Sequence, residues 1–357
     1  MILFSGKSAD EVWLETVRRI LADGSEQASR SGLTRELVHV GLTVSDPRDR
    51  VVFSRPINPA FAVAEVIWIL AGANDTDFVS FWNPRMRRYA DAGNPALLHG
   101  AYGLRLGSQP NVSGPIASAL RHESRSFGFE RDQLRGAVEA LGVSPDSRQI
   151  VLQIWDPRTD FPNPAPASKD VPCNLLSHLM IRRGKLEWLQ VMRSNDAVWG
   201  LPYNFIQFTS LQEILAGWLG VPIGSYNHVS DSLHVYERHW RLLENLPTVP
   251  YRIASLPAPL KTASYKEWEE VFLPLLDCAV RLTKTSDRSE IEGIWTGSSG
   301  RHPGYDQLLA ILCAEVLAKW GHSESSHKMI QNAGDYWIES WTQWDDLKSA
   351  DRADAPN

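Results

Sequence analysis

Cys173 stands in the run Val171-Pro172-Cys173-Asn174, directly after a proline-rich stretch, and Arg193 follows twenty positions later in Met192-Arg193-Ser194-Asn195-Asp196. A thiol attacks as its thiolate, and a guanidinium nearby favours that form. The pair therefore suits covalent catalysis at an electrophilic carbon. On residue type alone, a single Cys at a strand start is more often a small core residue. A Cys–His hydrolase of the papain type is the rival chemistry, with His178 on the adjoining strand, but the flanks of Cys173 lack that local signature. Arg148, Arg193 and Ser194 form a candidate anion site, because a guanidinium fork matches phosphate oxygens. A plain surface cation is the commoner role for an Arg such as Arg148. Asn204 follows Gly200-Leu201-Pro202. It is either a helix N-cap or a reader of the N3–H and O4 edge of uracil, since an amide carries a donor and an acceptor together. Glu65 interrupts the apolar run Phe61 to Leu70. A buried carboxylate there is either a hydrogen-bonded structural group or a general acid/base.

These residues need elements to position them. Helical periodicity covers residues 8–22, and residues 58–72 form a mostly buried helix. Residues 36–53 alternate like a strand around the turn Ser45 to Asp49. Residues 131–142 form another helix, and residues 148–155 a strand that leads into the proline-rich loop 156–170. Residues 175–194 give two strands turning at Arg183-Gly184, and residues 205–220 a helix closed by Gly220. The segment from Asn227 to Trp240 clusters polar groups, with His234 and Tyr236 alternating. Beyond a second proline-rich stretch, residues 246–260, the pattern turns helical over 265–284, 305–320 and 329–344.

The chain has 357 residues, 43% of them hydrophobic, which is enough for one large domain or two smaller ones. A formal net charge of −6 offers no basic surface for nucleic acid, so DNA binding is not expected. Three cysteines without a CxxC pair argue against a disulfide framework and for a reduced, cytoplasmic setting, and no Cys/His cluster has structural-zinc spacing. The longest apolar stretch is too short for a bilayer and contains Glu65, so no membrane role is expected.

Taken together, Pro172-Cys173-Asn174, then Met192 to Asn204, then Ser232 to Tyr236 resemble the thymidylate synthase family, with spacing that fits without a gap. Upstream, Ala64 to Asp75 resembles the family's helix with its catalytic glutamate, and His99 to Leu106 its Gly-x-x-Tyr-Gly segment. Pro145 to Ile150 resembles its Ser-Arg-Arg segment, and Arg30-Ser31-Gly32 the start of its phosphate loop. The resemblance covers roughly residues 28–240. Departures fall mostly on the folate side. Gln149 replaces the second Arg of the Ser-Arg-Arg segment, Asn174 the usual His after the nucleophile, and Asp231-Ser232 the Gly-Asp before the nucleoside-binding His. The family's paired tryptophans are absent from Asn83 to Gly93, where Met86 and Tyr89 stand near their positions, and its closing C-terminal tail is not recognisable.

The resemblance implies an α+β fold: a mixed sheet with packed helices, here with a helical C-terminal extension. The expected organisation is a catalytic domain over 1–255, helices over 256–346 and a frayed tail over 347–357. It implies a homodimer that takes a pyrimidine nucleotide and methylenetetrahydrofolate, without a metal. By carry-over, Cys173 is the nucleophile that adds to C6 and makes C5 enolate-like. Arg193 holds the thiolate, Glu65 manages protons, Tyr102 helps remove the C5 proton and Asp196 hydrogen-bonds the pterin. Arg30, Arg193, Ser194 and a partner's Arg148 hold the phosphate, Gln149 and Asn174 line the nucleotide, Asn204 reads the base, and His234 and Tyr236 hold the sugar. Hydride from the folate would then give a methyl group, and water a hydroxymethyl group. The methyl outcome, dUMP to dTMP, is favoured as the family's commonest chemistry. Pyrimidine nucleotide 5-hydroxymethylation is the alternative, and a non-catalytic nucleotide- or RNA-binding relative the second. Trp320, Trp337, Trp341 and Trp344 either replace the lost aromatic wall or merely pack the added helices.

Overall fold

The computed structural model describes residues 1–91, 93–108, 110, 132–161 and 170–353. Much of the proline-rich loop, position 131 of the helix expected over 131–142, position 92 of the stretch that lacks the paired tryptophans, and the last residues of the tail lie outside them. The chain divides into two compact units. One holds Met1–Ile57, Ala137–Trp155 and Cys173–Ala254; the other holds Asn58–Gly136, Asp156–Pro172 and Ser255–Asn357.

The first unit is a mixed sheet. Its strands are β1 (Ile2–Gly6), β2 (Ser25–Ser29), β3 (Gly32–Val44), β4 (Ile150–Gln153), β5 (Asn174–Arg182), β6 (Lys185–Asp196) and β7 (Ile223–Tyr236). The order is β1-β3-β7-β6-β5-β4, with β2 paired to β3. The β1–β3 and β6–β7 pairs are parallel and the others antiparallel. The turn expected at Arg183-Gly184 forms, with both residues at positive φ, 52° and 69°, as a tight two-residue hairpin requires. Helix α1 (Ala9–Asp23) starts at Ser8, whose side chain accepts from the Glu11 N–H. Its Trp13 Nε1 donates to the Ala197 carbonyl at 2.6 Å, tying α1 to the end of β6.

The strand expected to resume at residues 50–53 does not form. Arg50 is buried and donates to Ser210 at 2.7 Å and Glu213 at 2.5 Å, while Ser54 is held by Asp10. Side-chain partners have replaced a ladder there. Ser210 and Glu213 belong to helix α6 (Leu201–Trp218), which packs on β6 and β7 and is buried along its length through Gly217.

Inward-facing residues alternate along β3, β6 and β7 until one place, where the spacing becomes three. One buried row is Val40–Ser230–Met192, and the next is Leu37–Leu233–Asn195. The intervening pairs, Val38-His39, Asp231-Ser232 and Arg193-Ser194, face the other way and are exposed or half-exposed. A regular strand sends consecutive side chains to opposite faces; a bulge-like slip lets two neighbours share one. His39 takes a φ of 56° at this line. The face away from α6 carries the cross-strand row Leu176–Val191–Val229, all half-exposed, ending on the exposed Leu3 beyond Gly41.

The second unit is helical: α2 (Pro59–Leu70), α3 (Thr76–Trp82), α4 (Tyr102–Leu106), then α7 (Tyr265–Leu282), α8 (Arg288–Ser298), α9 (Pro303–Lys319), α10 (Ser323–Ile330) and α11 (Gly334–Ala353). Helix α5 (Gln133–Val143) links the units in sequence. The single helix expected over 329–344 is broken at Gly334, whose φ of 76° ends one helical run and starts another. Apolar on all sides, α2 is buried except at Glu65 and packs against α9 and α11. Gly103 of α4 lies so close to α2 that a Cβ there would meet the Ile69 carbonyl oxygen at 2.5 Å. Arg105, one turn after Tyr102, is fully buried against Asp160 (2.6 and 2.9 Å), which also contacts His99 Nε2 at 2.7 Å.

Asp75 caps α3, accepting from the Phe78 N–H at 2.7 Å and Trp68 Nε1 at 3.0 Å. Burial pushes its carboxyl up to about 6 from 3.8. The folded state therefore holds this proton more tightly than the unfolded chain. Its contribution is full below the unfolded value and is lost as pH rises through about 6. Asp75→Asn keeps the capping acceptor for the Phe78 N–H and removes the buried charge, at the loss of the acceptor for Trp68 Nε1. Urea unfolding should show a flatter profile for the variant between pH 4 and 6, its stability relative to the parent rising by on the order of 1–2 kcal/mol from pH 4 to neutral pH. Equal profiles would refute the assignment.

Candidate functional site

The topology gathers most of the singled-out residues at one end of the sheet. Cys173 immediately precedes β5, and its carbonyl accepts from the Arg193 N–H at 2.9 Å, so the two are cross-strand neighbours. Strand β7 runs parallel to β6, and its His234 pairs with Asp196. Strand β3 runs antiparallel to β7, Thr34 pairs with Tyr236, and the exposed Arg30 sits on the β2–β3 turn beyond that pair. Arg238 ties this turn down through the Ser31 carbonyl at 3.0 Å. The slip described above turns Arg193 and Ser194 to the same side of β6, where both can meet one anion.

Cys173 is half-exposed. Asn174 is fully buried; its Oδ1 accepts from Gln190 Nε2, and its Nδ2 has no partner among the described residues. Asp196 uses Oδ1 to accept from the Val198 and Trp199 N–H groups at 2.8 and 3.2 Å, which fixes the carboxylate at the turn into α6. His234 stands edge-on to Tyr236, with centroids 5.0 Å apart. Burial lowers its pKa while Asp196 pulls the other way.

Asn204 is not the helix cap: Gly200 occupies that place, and Asn204 lies inside the first turn of α6, 5% exposed. Its Oδ1 accepts from Asn195 Nδ2 at 3.0 Å and its Nδ2 donates to Gln207 Oε1 at 3.1 Å. Each of those atoms keeps one further hydrogen-bonding capacity. Behind it lie His228, Tyr226 and Ser230, none of which was singled out from the sequence. Their signal was the alternation Tyr226, His228, Ser230 on one strand face.

Arg148 and Gln149 are exposed and precede β4, whose Ile150 pairs with Leu179. The Arg148 carbonyl lies 3.0 Å from His178 Nε2, and His178 is five residues along β5 from Cys173, about 17 Å at the rise of a strand. One chain does not bring Arg148 to its own Cys173. Glu65 and Tyr102 belong to the second unit, where α2 and α4 are locked by the Gly103 contact and by Ser108 Oγ donating to the Leu70 carbonyl at 2.6 Å.

The sequence matches the thymidylate synthase family model over residues 11–268. The chain belongs to the thymidylate synthase family. Among similar proteins, a deoxyuridylate hydroxymethyltransferase of Bacillus phage SP01 is 36% identical over 66% of this chain and 59% of its own length. One from Pseudomonas phage M6 is 30% identical over 77% of each chain. The thymidylate synthase of equine herpesvirus 2 (strain 86/87) is 27% identical over 64% of this chain and 79% of its own. The match to the SP01 relative thus spans less than two thirds of that protein. The thymidylate synthase likeness covers β2 to β7 and runs into α7, with β1 ahead of it. No helix among the described residues is long and apolar enough to cross a membrane.

Proposed function

We propose that the chain adds a one-carbon unit to C5 of dUMP and leaves it there as a hydroxymethyl group, with the oxygen taken from water, the C5 proton lost and tetrahydrofolate released. The observation that carries the reading is the cluster at one sheet end: Cys173 beside Arg193, Ser194 turned to the same side as Arg193, and Asn204, His234 and Tyr236 on the adjoining elements. The Arg193 guanidinium favours the Cys173 thiolate, which adds to C6 and leaves negative charge toward O4 and C5. Asn204, and the Asn174 Nδ2 that lacks a partner among the described residues, supply donors for that edge. His234 and Tyr236 hold the sugar hydroxyl; Arg193, Ser194 and Arg30 hold the phosphate, with the partner's Gln149, next to the partner's Arg148, a neutral neighbour. Methylenetetrahydrofolate supplies the carbon, and Asp196, fixed by two backbone N–H groups, keeps an oxygen for a pterin donor. The roles of Glu65 and Tyr102 in proton transfer rest on the family likeness alone.

A homodimer completes the phosphate site. The half-exposed apolar face of the sheet would be covered by a second copy, whose Arg148 would then supply the charge that one chain leaves distant from its own Cys173.

Two observations support hydroxymethyl over methyl. The relatives at 36% and 30% identity carry hydroxymethyltransferase names. Two of the C-terminal tryptophans also find neighbours in their own unit: Trp341 packs edge-on against His327 at 5.5 Å and Trp337 against Tyr336 at 5.5 Å, while Trp320 is exposed. Such contacts give Trp337 and Trp341 a packing role in the added helices and favour the reading in which water, not hydride, is added to C5's new carbon. With dUMP and methylenetetrahydrofolate, mass spectrometry of the nucleotide should show 5-hydroxymethyl-dUMP, with no rise in dihydrofolate absorbance. Stoichiometric dihydrofolate with dTMP would restore the methyl product. Failure to trap 5-fluoro-dUMP covalently would leave a binding protein only.

A further inference from the structure

We infer that His228, acting through Asn195, fixes which way round the Asn204 amide faces and so makes the site choose uracil over cytosine. The inference rests on Asn204 being the residue that faces the base. A primary amide offers one donor end and one acceptor end, and half a turn about its last bond exchanges them. Uracil presents N3–H and O4, which need an acceptor and a donor in that order. Cytosine presents N3 and the N4 amino group, which need the reverse. An unrestrained Asn can therefore read either base, and its anchorage decides.

The anchorage is a buried chain of polar groups. His228 is fully buried, with Nδ1 3.0 Å from Tyr226 Oη and Nε2 2.9 Å from Ser230 Oγ and 3.3 Å from Asn195 Nδ2. Burial pushes its pKa down to about 3, so the ring is neutral, with one nitrogen donating and the other accepting. An amide nitrogen can only donate. Nε2 is therefore the acceptor, and Nδ1 carries the proton toward Tyr226. The same Asn195 nitrogen donates to Asn204 Oδ1 at 3.0 Å, and Asn204 Nδ2 donates to Gln207 Oε1 at 3.1 Å. Turning Asn204 would set its nitrogen against that of Asn195 and its oxygen against that of Gln207. Turning Asn195 would set its oxygen against the lone pair of His228 and the oxygen of Asn204. Mispaired groups at such depth are costly, so the polarity of the His228 ring is passed to the base edge. His228 is a positioning residue, separated from the base by two amides.

The test compares dUMP with dCMP, in kcat/KM and in dissociation constant, for His228→Phe, which keeps an aromatic ring but has no acceptor. The dUMP-to-dCMP ratio should fall about tenfold or more, with dCMP binding gaining in absolute terms. A merely structural role would weaken both nucleotides alike and leave the ratio unmoved. Tyr226→Phe frees the tautomer with little change of volume; it should shift the ratio in the same direction, and it decides the matter if His228→Phe does not fold. Asn204→Ala is run beside them. A collapsed ratio there, with an unchanged ratio in the folded His228 or Tyr226 variant, overturns this inference alone. An unchanged ratio in Asn204→Ala overturns the reading of Asn204 as well.

Discussion

Cys173→Ser should lower turnover of dUMP by about ten-thousand-fold or more while changing the dissociation constant of dUMP by less than about tenfold. The hydroxyl occupies nearly the same space, so the sheet end and the groups proposed to hold sugar and phosphate stay in place. At neutral pH, however, a hydroxyl is scarcely ionised, and Arg193 cannot rescue it. Rapid-quench assays and calorimetry separate the two effects; near-normal turnover in the variant would end the covalent reading. The same variant probes the proposed sharing of sites. Mixed with an inactive Arg148→Ala chain, it should regain activity, because one site of the mixed dimer would receive both an intact Cys173 and an intact Arg148. With subunit exchange demonstrated, an inactive mixture would mean that Arg148 serves no neighbouring site.

Asp160→Asn should cost about 3–5 kcal/mol of stability, measured by urea unfolding. Arg105 is fully buried and spends its guanidinium on Asp160 and the His99 carbonyl. Removing the carboxylate charge takes from that cation the buried counter-ion that accepts two of its hydrogen bonds. Burial by itself would raise the Asp160 pKa, but hydrogen bonds from His99 and Arg105 outweigh it and hold the carboxyl well below the usual range. Its contribution is therefore present above the unfolded value, near 4, and lost as pH falls below it. A double change, Arg105→Met with Asp160→Leu, should recover much of the loss, because the cost lies in keeping a buried cation with less compensation rather than in the absent pair. A single variant as stable as the parent would show that Arg105 finds compensation elsewhere.

The candidates Cys173, Arg193, Ser194 and Asn204, proposed as nucleophile, cation and nucleotide readers, were legible because their motifs are short and linear: Pro172-Cys173-Asn174, Arg193-Ser194, and Leu201 to Asn204. Helices α1, α2, α6, α7 and α9 were legible from their apolar periods and their capping residues. Strand β1 was not, because its parallel pairing with β3 joins residues some forty positions apart. The parallel β6–β7 pair was hidden for the same reason, with α6 as its crossover. Tyr226, His228 and Ser230 were missed for a different one. An alternation of polar residues on a strand is the pattern of a solvent-facing side, and only the amides of Asn195 and Asn204 make that pattern suit an interior. Arg50 misled in the opposite sense: its segment alternates like a strand, yet its side chain is committed to α6.

The three-residue step shared by β3, β6 and β7 restricts how this chain can change length. Deleting one residue from β6 just before Arg193 would restore simple alternation in that strand, but it would set Asn195 out of step with Leu37 and Leu233 beside it. Arg193 and Ser194 would then point to opposite sides. Repair would need matching deletions in two other strands, an event far rarer than a single indel. Insertions and deletions should therefore be tolerated in the connections, such as residues 156–172 and the segment after Ala254, far better than in the central strands. The helices after residue 255 are where such growth could be added without disturbing the register that holds Cys173 beside Arg193.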